Sequence, residues 1–191
     1  MIYERRFGKR SMFEIDVPLV TTNSLLTRTT GPGDVAVGVK HALHTTTTRI
    51  VAAGLEVVLP TGDRFKDHGS GAAFVEPFIS AGALVRNWFL QAELRTEAST
   101  NTVRARPHIV YNGYVGRDLS RAPNTWTIGA ELNGKDAEVA LTPQLRKGLT
   151  ATGALAASAG MMLPLNRREE QGLRWVGYLL WEYLEPWRAR R

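Results

Sequence analysis

The chain contains no cysteine. This excludes disulfides and thiol catalysis, but leaves the compartment open, because many envelope proteins also avoid cysteine. Long apolar runs are scarce as well. The longest uncharged stretch, 148–166, is made largely of Ala, Gly, Thr and Ser and has Pro164 near its end, so it is too weakly hydrophobic for a transmembrane helix. Histidine is limited to His41, His44, His68 and His108. No carboxylate or cysteine stands beside His41 and His44 to complete a metal site, so neither a metal nor a cofactor is expected. GxGxxG, P-loop and HExxH patterns are absent, and Gly31-Pro32-Gly33-Asp34 is a turn rather than a phosphate cradle because no helix follows it. His108, Glu76 and Ser80 are residue types that a barrel-rim hydrolase would use, yet no spacing brings them together, and the chain is not read as an enzyme.

Period-two alternation is what the sequence does have. In 50–59, Val51, Ala53, Leu55, Val57 and Leu59 fall on one side of an extended chain, and Ile50, Ala52, Gly54, Glu56 and Val58 on the other. Pro60 cannot donate to a ladder and Thr61-Gly62-Asp63 is turn chemistry, so the strand ends there. Similar units predict about ten strands, over 12–19, 34–43, 50–59, 74–85, 88–95, 103–112, 125–132, 137–145, 150–163 and 173–184. Each is near the length that a tilted strand needs to cross a bilayer. Arg86-Asn87 reads as a tight turn, Asn133-Gly134 as a hairpin turn closed by Asp136, 61–71 as a mobile charged loop, and 114–124 as a long connection. Pro77, Pro107 and Pro143 run against strand formation where they fall, which calls for later strand starts or for bulges.

One face of these strands is aliphatic. The other carries Glu14, Asp16, Lys40, Glu56, Glu76, Glu93, Arg95, Arg104, Arg106, His108, Glu131, Glu138 and Arg146. In a soluble antiparallel sheet that polar face would meet water. In a membrane barrel it would line the lumen, where such residues satisfy one another or set ion selectivity, while the aliphatic face meets lipid. Trp88, Tyr111, Tyr114, Trp126, Trp181, Tyr183 and Trp187 sit near strand ends, where interfacial girdles lie. The net charge of +6 resides mainly in 5–6, 9–10, 167–168 and 188–191. Solvated loops and tails account for it, with contact to headgroups or lipopolysaccharide as the other reading. No nucleic-acid motif accompanies it.

Leu59-Pro60-Thr61-Gly62-Asp63, the upstream Gly31-Pro32-Gly33-Asp34-Val35-Ala36-Val37-Gly38-Val39-Lys40, and the downstream Gly69-Ser70-Gly71 and Glu76-Pro77-Phe78 resemble segments of the outer-membrane transporter family linked to the meta-pathway of phenol degradation. Met162-Leu163-Pro164-Leu165 and Leu179-Leu180-Trp181-Glu182-Tyr183 are similar to that family's last hairpin. The resemblance implies passage of small, aromatic or apolar solutes across an outer membrane.

The expectation is thus an all-β chain: one antiparallel up-and-down transmembrane β-barrel domain over 1–191, of about ten strands, or twelve with a missing N-terminal part. The opening residues Met1–Arg6 hold no apolar signal segment, so export to the outer membrane would require a signal peptide outside this sequence. Expected partners are membrane lipid or lipopolysaccharide, a small solute, and an envelope protein or a second copy. Two alternatives stay open: a non-conducting envelope scaffold that binds a partner protein, and a soluble β-sandwich or lipocalin-like ligand binder.

Overall fold

The structure, a computed structural model, describes residues 2–23, 28–101, 106–152, 154–166 and 174–181. It is all-β and antiparallel with up-and-down connections, and the described residues contain no α-helix. The strands are β1 (Ile2–Phe7), β2 (Ser11–Asp16), β3 (Leu19–Asn23), β4 (Arg28–Pro32), β5 (Val35–Thr45), β6 (Arg49–Leu59), β7 (Phe74–Val85), β8 (Trp88–Ser99), β9 (His108–Asp118), β10 (Trp126–Lys135), β11 (Glu138–Gly148), β12 (Leu155–Pro164) and β13 (Arg174–Trp181). Eleven form one sheet in the order β1-β2-β5-β6-β7-β8-β9-β10-β11-β12-β13, and β3 and β4 pair separately. The chain divides into two compact units, Met1–Ala81 with Glu93–Val110, and Gly82–Ala92 with Tyr111–Arg191.

Among the described residues, thirteen strands replace the expected ten. β1 escapes the pattern because charges interrupt its alternation, with Tyr3 and Phe7 on one face and Arg5 between them. The β3–β4 hairpin looks like a polar loop in sequence, yet its threonines pair across it, Thr21 with Thr30 at 3.0 Å and Thr22 with Thr29 at 2.9 Å. The first expected strand, 12–19, stops at Asp16: Pro18 lacks an N–H, its carbonyl accepts from Gly33, and Leu19 opens β3. The strand expected over 103–112 begins at His108, just after Pro107, and runs on to Asp118, so most of the supposed 114–124 connection's first half is ladder.

The Asn133-Gly134 turn is also corrected. Lys135 pairs with Glu138, and the two-residue turn is Asp136-Ala137, with Asp136 at φ 52°. Gly134 serves a different need: a Cβ there would collide with the Tyr111 ring, so the glycine makes room for an aromatic side chain lying on the sheet. Arg86 takes φ 62° in the short turn between β7 and β8. Pro77 and Pro143 remain inside strands. At Pro143 the β11–β12 pairing runs from Ala140↔Pro164 and Leu141↔Leu163 to Gln144↔Gly160, passing over Thr142 and Pro143 without a change of register. The ninth expected strand starts later than drawn, at Leu155.

Burial runs opposite to that of a soluble domain. The buried apolar residues are alanines, Ala52, Ala72, Ala140 and Ala156, and no large side chain among the described residues is fully buried. The buried polar residues are His68, Glu76, Thr127, Thr142 and Ser158. Leu43, Leu55, Leu90, Leu94, Ile128, Leu145 and Trp126 are all exposed by 42% or more. We call the polar, more covered side of each strand its inner face and the aliphatic side its outer face.

Candidate functional site

In the first unit, strand register aligns the inner-face acids side by side. Glu4 on β1 stands opposite Glu14 on β2, Glu14 opposite Gly38 on β5, and Gly38 opposite Glu56 on β6. Gly38 leaves the row without a side chain at β5, and Lys40, two residues on, supplies a cation on the same face. The row continues through one guanidinium. Arg95 on β8 donates from Nη1 to Glu56 Oε1 at 3.1 Å and to Glu76 Oε2 at 2.9 Å. Its Nε and Nη2 both reach Glu93 Oε1, at 3.0 and 2.8 Å. The guanidinium also lies over Phe78, 5.5 Å from the ring centroid. Phe78 in turn rests on Gly54, where a Cβ would meet both the ring and the Val39 carbonyl oxygen.

Three carboxylates on β6, β7 and β8 therefore share one arginine, which leaves two formal negative charges among the four side chains. Glu76 is the most covered of the three, with 8% of its side chain exposed. Charge-assisted bonds of this kind stitch strands together and hold the arginine in one geometry.

The second unit has an uncharged counterpart around one acid. Glu131 on β10 accepts from the Asn112 side-chain amide of β9 and from Gln144 Nε2 of β11 at 3.2 Å. Asn112 also donates to Asn133 Oδ1 at 2.6 Å, and Ser158 on β12 donates to Gln144 Oε1 at 3.2 Å. Tyr114 lies where Cβ atoms on Gly116 and Gly129 would stand, so two glycines accept one ring.

The remaining expected site residues are placed as follows. Asp16 and His108 are half-buried on β2 and β9, and Glu138 and Arg146 are half-buried on β11. Arg106 is exposed in the connection before β9, not on a strand. Arg104 lies outside the described residues, as do Glu182, Tyr183 and Trp187. Glu93 pairs with Arg95 on its own strand, two residues away. No three His, Asp or Glu side chains converge as a metal ion would need, among the described residues.

A second constellation was not foreseen as such, although its residues are those of the Gly31–Asp34, Leu59–Asp63 and Gly69–Gly71 segments. Asp34 accepts from the Gly62 N–H at 2.9 Å and from the Ser70 N–H and hydroxyl, both at 2.7 Å. Thr61 Oγ1 accepts from the Val35 N–H and donates to the Gly33 carbonyl. His68 is buried, with Nε2 3.2 Å from the Thr29 hydroxyl and its ring where a Gly31 side chain would be. Partial burial pushes the Asp34 carboxyl up, but the bonds from Ser70, Gly62 and Thr61 outweigh it and hold the group below the usual carboxylate range. The 61–71 loop, expected to be mobile, is thus tied to the start of β5 and to the β3–β4 hairpin.

No protein-family model matches the chain, and no curated protein matches it.

Proposed function

We propose that the chain is an outer-membrane β-barrel that passes small solutes, with its sheet closed on itself, its outer face against lipid and its inner face lining the passage. The inversion of burial carries this reading. A soluble sheet that exposes Leu43, Leu55, Leu94 and Leu145 while covering Glu76, Thr127 and Ser158 would have its hydrophobic contribution reversed. In a bilayer the same distribution is the favourable one. It tells equally against a soluble sandwich or lipocalin-like binder, whose core would be apolar. The resemblance of the Leu59–Asp63 and Gly31–Lys40 segments adds aromatic or apolar solutes as the class carried.

The row of Glu4, Glu14, Glu56, Glu76 and Glu93, with Arg95 and Lys40 as its cations, gives the passage a preference for cations among charged solutes. One observation favours the scaffold alternative: Arg95, Phe78 and Tyr114 fill inner-face space that an open pore would leave free. Single-channel recording of the purified chain in planar bilayers under a KCl gradient separates the two. Discrete conductance steps with a cation-side reversal potential are expected. A folded, inserted protein with no steps would leave the scaffold.

A further inference from the structure

Within the second unit, the outer faces of β8 to β11 carry a second pattern. Trp88 opens β8, Arg117 lies next to last on β9, Trp126 opens β10 and Lys147 lies next to last on β11. Alternation puts all four on the outer face, since their inner-face neighbours are Phe89, Asp118, Thr127 and Gly148. They also stand at one end of the strands. Trp126 and Lys147 are opposite one another in the ladder. Asn87, in the β7–β8 turn, donates from its side-chain amide to the Asp118 carbonyl at 2.8 Å and accepts the Asp118 N–H at 3.0 Å. Each cation rests on an aromatic face: Arg117 lies 5.4 Å from the Trp88 ring centroid, and Lys147 lies 5.4 Å from that of Trp126. The two tryptophans are 42% and 49% exposed.

What surrounds this row tells what it fits. Away from the row, the outer face of these strands holds Leu90, Val115, Ile128, Leu132, Leu141 and Leu145, and no carboxylate stands on it from 88 to 92 or along 111–117, 126–134 and 139–147. Asp118, next to Arg117 in the chain, points to the other face, where it accepts from the Thr127 hydroxyl at 2.6 Å. Lys147 Nζ donates to the Asn124 carbonyl at 2.6 Å, which orients the ammonium without cancelling its charge. An aliphatic band ending in tryptophans, each carrying a cation, matches the boundary between acyl chains and phosphates: the indoles seat at headgroup depth and the cations meet anionic oxygens.

We infer that Trp88-Arg117 and Trp126-Lys147 form a docking row for the phosphates of anionic phospholipid. This rests on the membrane reading and adds to it a lipid class and the residues that select it. An acidic protein would find cations here but no reason for the uninterrupted aliphatic band beside them, whereas a lipid leaflet accounts for both.

The test uses the full chain folded into phosphatidylcholine vesicles with about 30% phosphatidylglycerol, in which one lipid or the other is brominated to quench tryptophan. Brominated phosphatidylglycerol should quench more than its share of the bilayer, with an apparent preference of up to about five-fold per cation. The Arg117→Gln/Lys147→Gln pair should remove the excess, Arg117→Lys/Lys147→Arg should keep it, and Arg64→Gln in the 61–71 loop should not change it. Quenching in proportion to composition for the wild type, or an excess that survives the double glutamine variant, overturns the inference and leaves the membrane reading standing. Absence of quenching by either lipid, with the protein folded, overturns both and points to a soluble partner on this face.

Discussion

Replacing Arg95 with methionine keeps the aliphatic stem and removes the guanidinium, leaving Glu56, Glu76 and Glu93 facing one another. Breaking a buried ion pair from one side costs about 3–5 kcal/mol, because the charge left behind keeps its desolvation penalty. The partners retain 15%, 8% and 33% of their side-chain surface, and Arg95 retains 23%, so some solvent screening remains and about 3 kcal/mol is expected. The three acids should not couple equally to Arg95. Glu76 is the most covered and bonds at 2.9 Å, Glu56 follows at 3.1 Å, and Glu93 is the most exposed although two bonds reach it. Urea unfolding in lipid vesicles, followed by heat-modifiable gel migration, gives the energies. Double-mutant cycles of Arg95→Met with each Glu→Gln should give about 1.5–3 kcal/mol for Glu76, with Glu93 the smallest. Coupling below about 1 kcal/mol at all three, or strongest coupling at Glu93, would refute the reasoning, since exposed pairs are worth about 0.2–1 kcal/mol.

Three further outcomes follow from other parts of the sheet. If the outer face meets lipid as proposed and Leu55 lies at midplane depth, Leu55→Arg should cost about 2–4 kcal/mol. Spin labels at 55 and 56 should favour oxygen and a polar relaxant respectively, and equal accessibilities would contradict the alternation. Gly134→Ala should lose about 1–3 kcal/mol by meeting the Tyr111 ring, and Tyr111→Ala in the same chain should recover part of it in urea titration; strict additivity would show that the ring does not lie there. Asp34 has a lowered folded pKa, so its stabilisation is present above the unfolded value of about 3.9 and is lost as pH falls through the folded one. Proteolysis of the 61–71 loop should therefore stay slow at neutral pH and rise only in acid, whereas Asp34→Asn should be cut readily at pH 7; equal resistance of the two chains at pH 7 would remove the tie.

Faces were legible in the sequence wherever alternation was unbroken, as in Val51 to Leu59 and Trp88 to Arg95, because a strand offers only two sides and the acids chose one. Which acids meet was not legible. Glu4 meets Glu14 across the β1–β2 hairpin, but Glu14 and Glu56 join the same row only through the ladder registers on either side of β5, and Gly38 between them carries no charge to announce it. Glycine misled at Gly134, where the local signal for a turn and the need for space under Tyr111 call for the same residue. The β3–β4 hairpin was hidden because threonine pairs hold it, and threonine is as common in loops as in strands. Conversely, the short motifs Gly31–Asp34, Leu59–Asp63 and Gly69–Gly71 were visible as motifs, and only the fold shows that one carboxylate, Asp34, joins them.

That the buried apolar side chains among the described residues are four alanines has a thermodynamic consequence. Heat capacity rises on unfolding chiefly because apolar surface meets water, and polar exposure lowers it. The inner face can supply little of the first and much of the second. Any positive heat-capacity change must then come from the outer face exchanging one surrounding for another. If the outer face meets lipid as proposed, calorimetry of this chain would report that environment through the curvature of its stability with temperature, and the ion pairs and amide bonds of the inner face through its enthalpy.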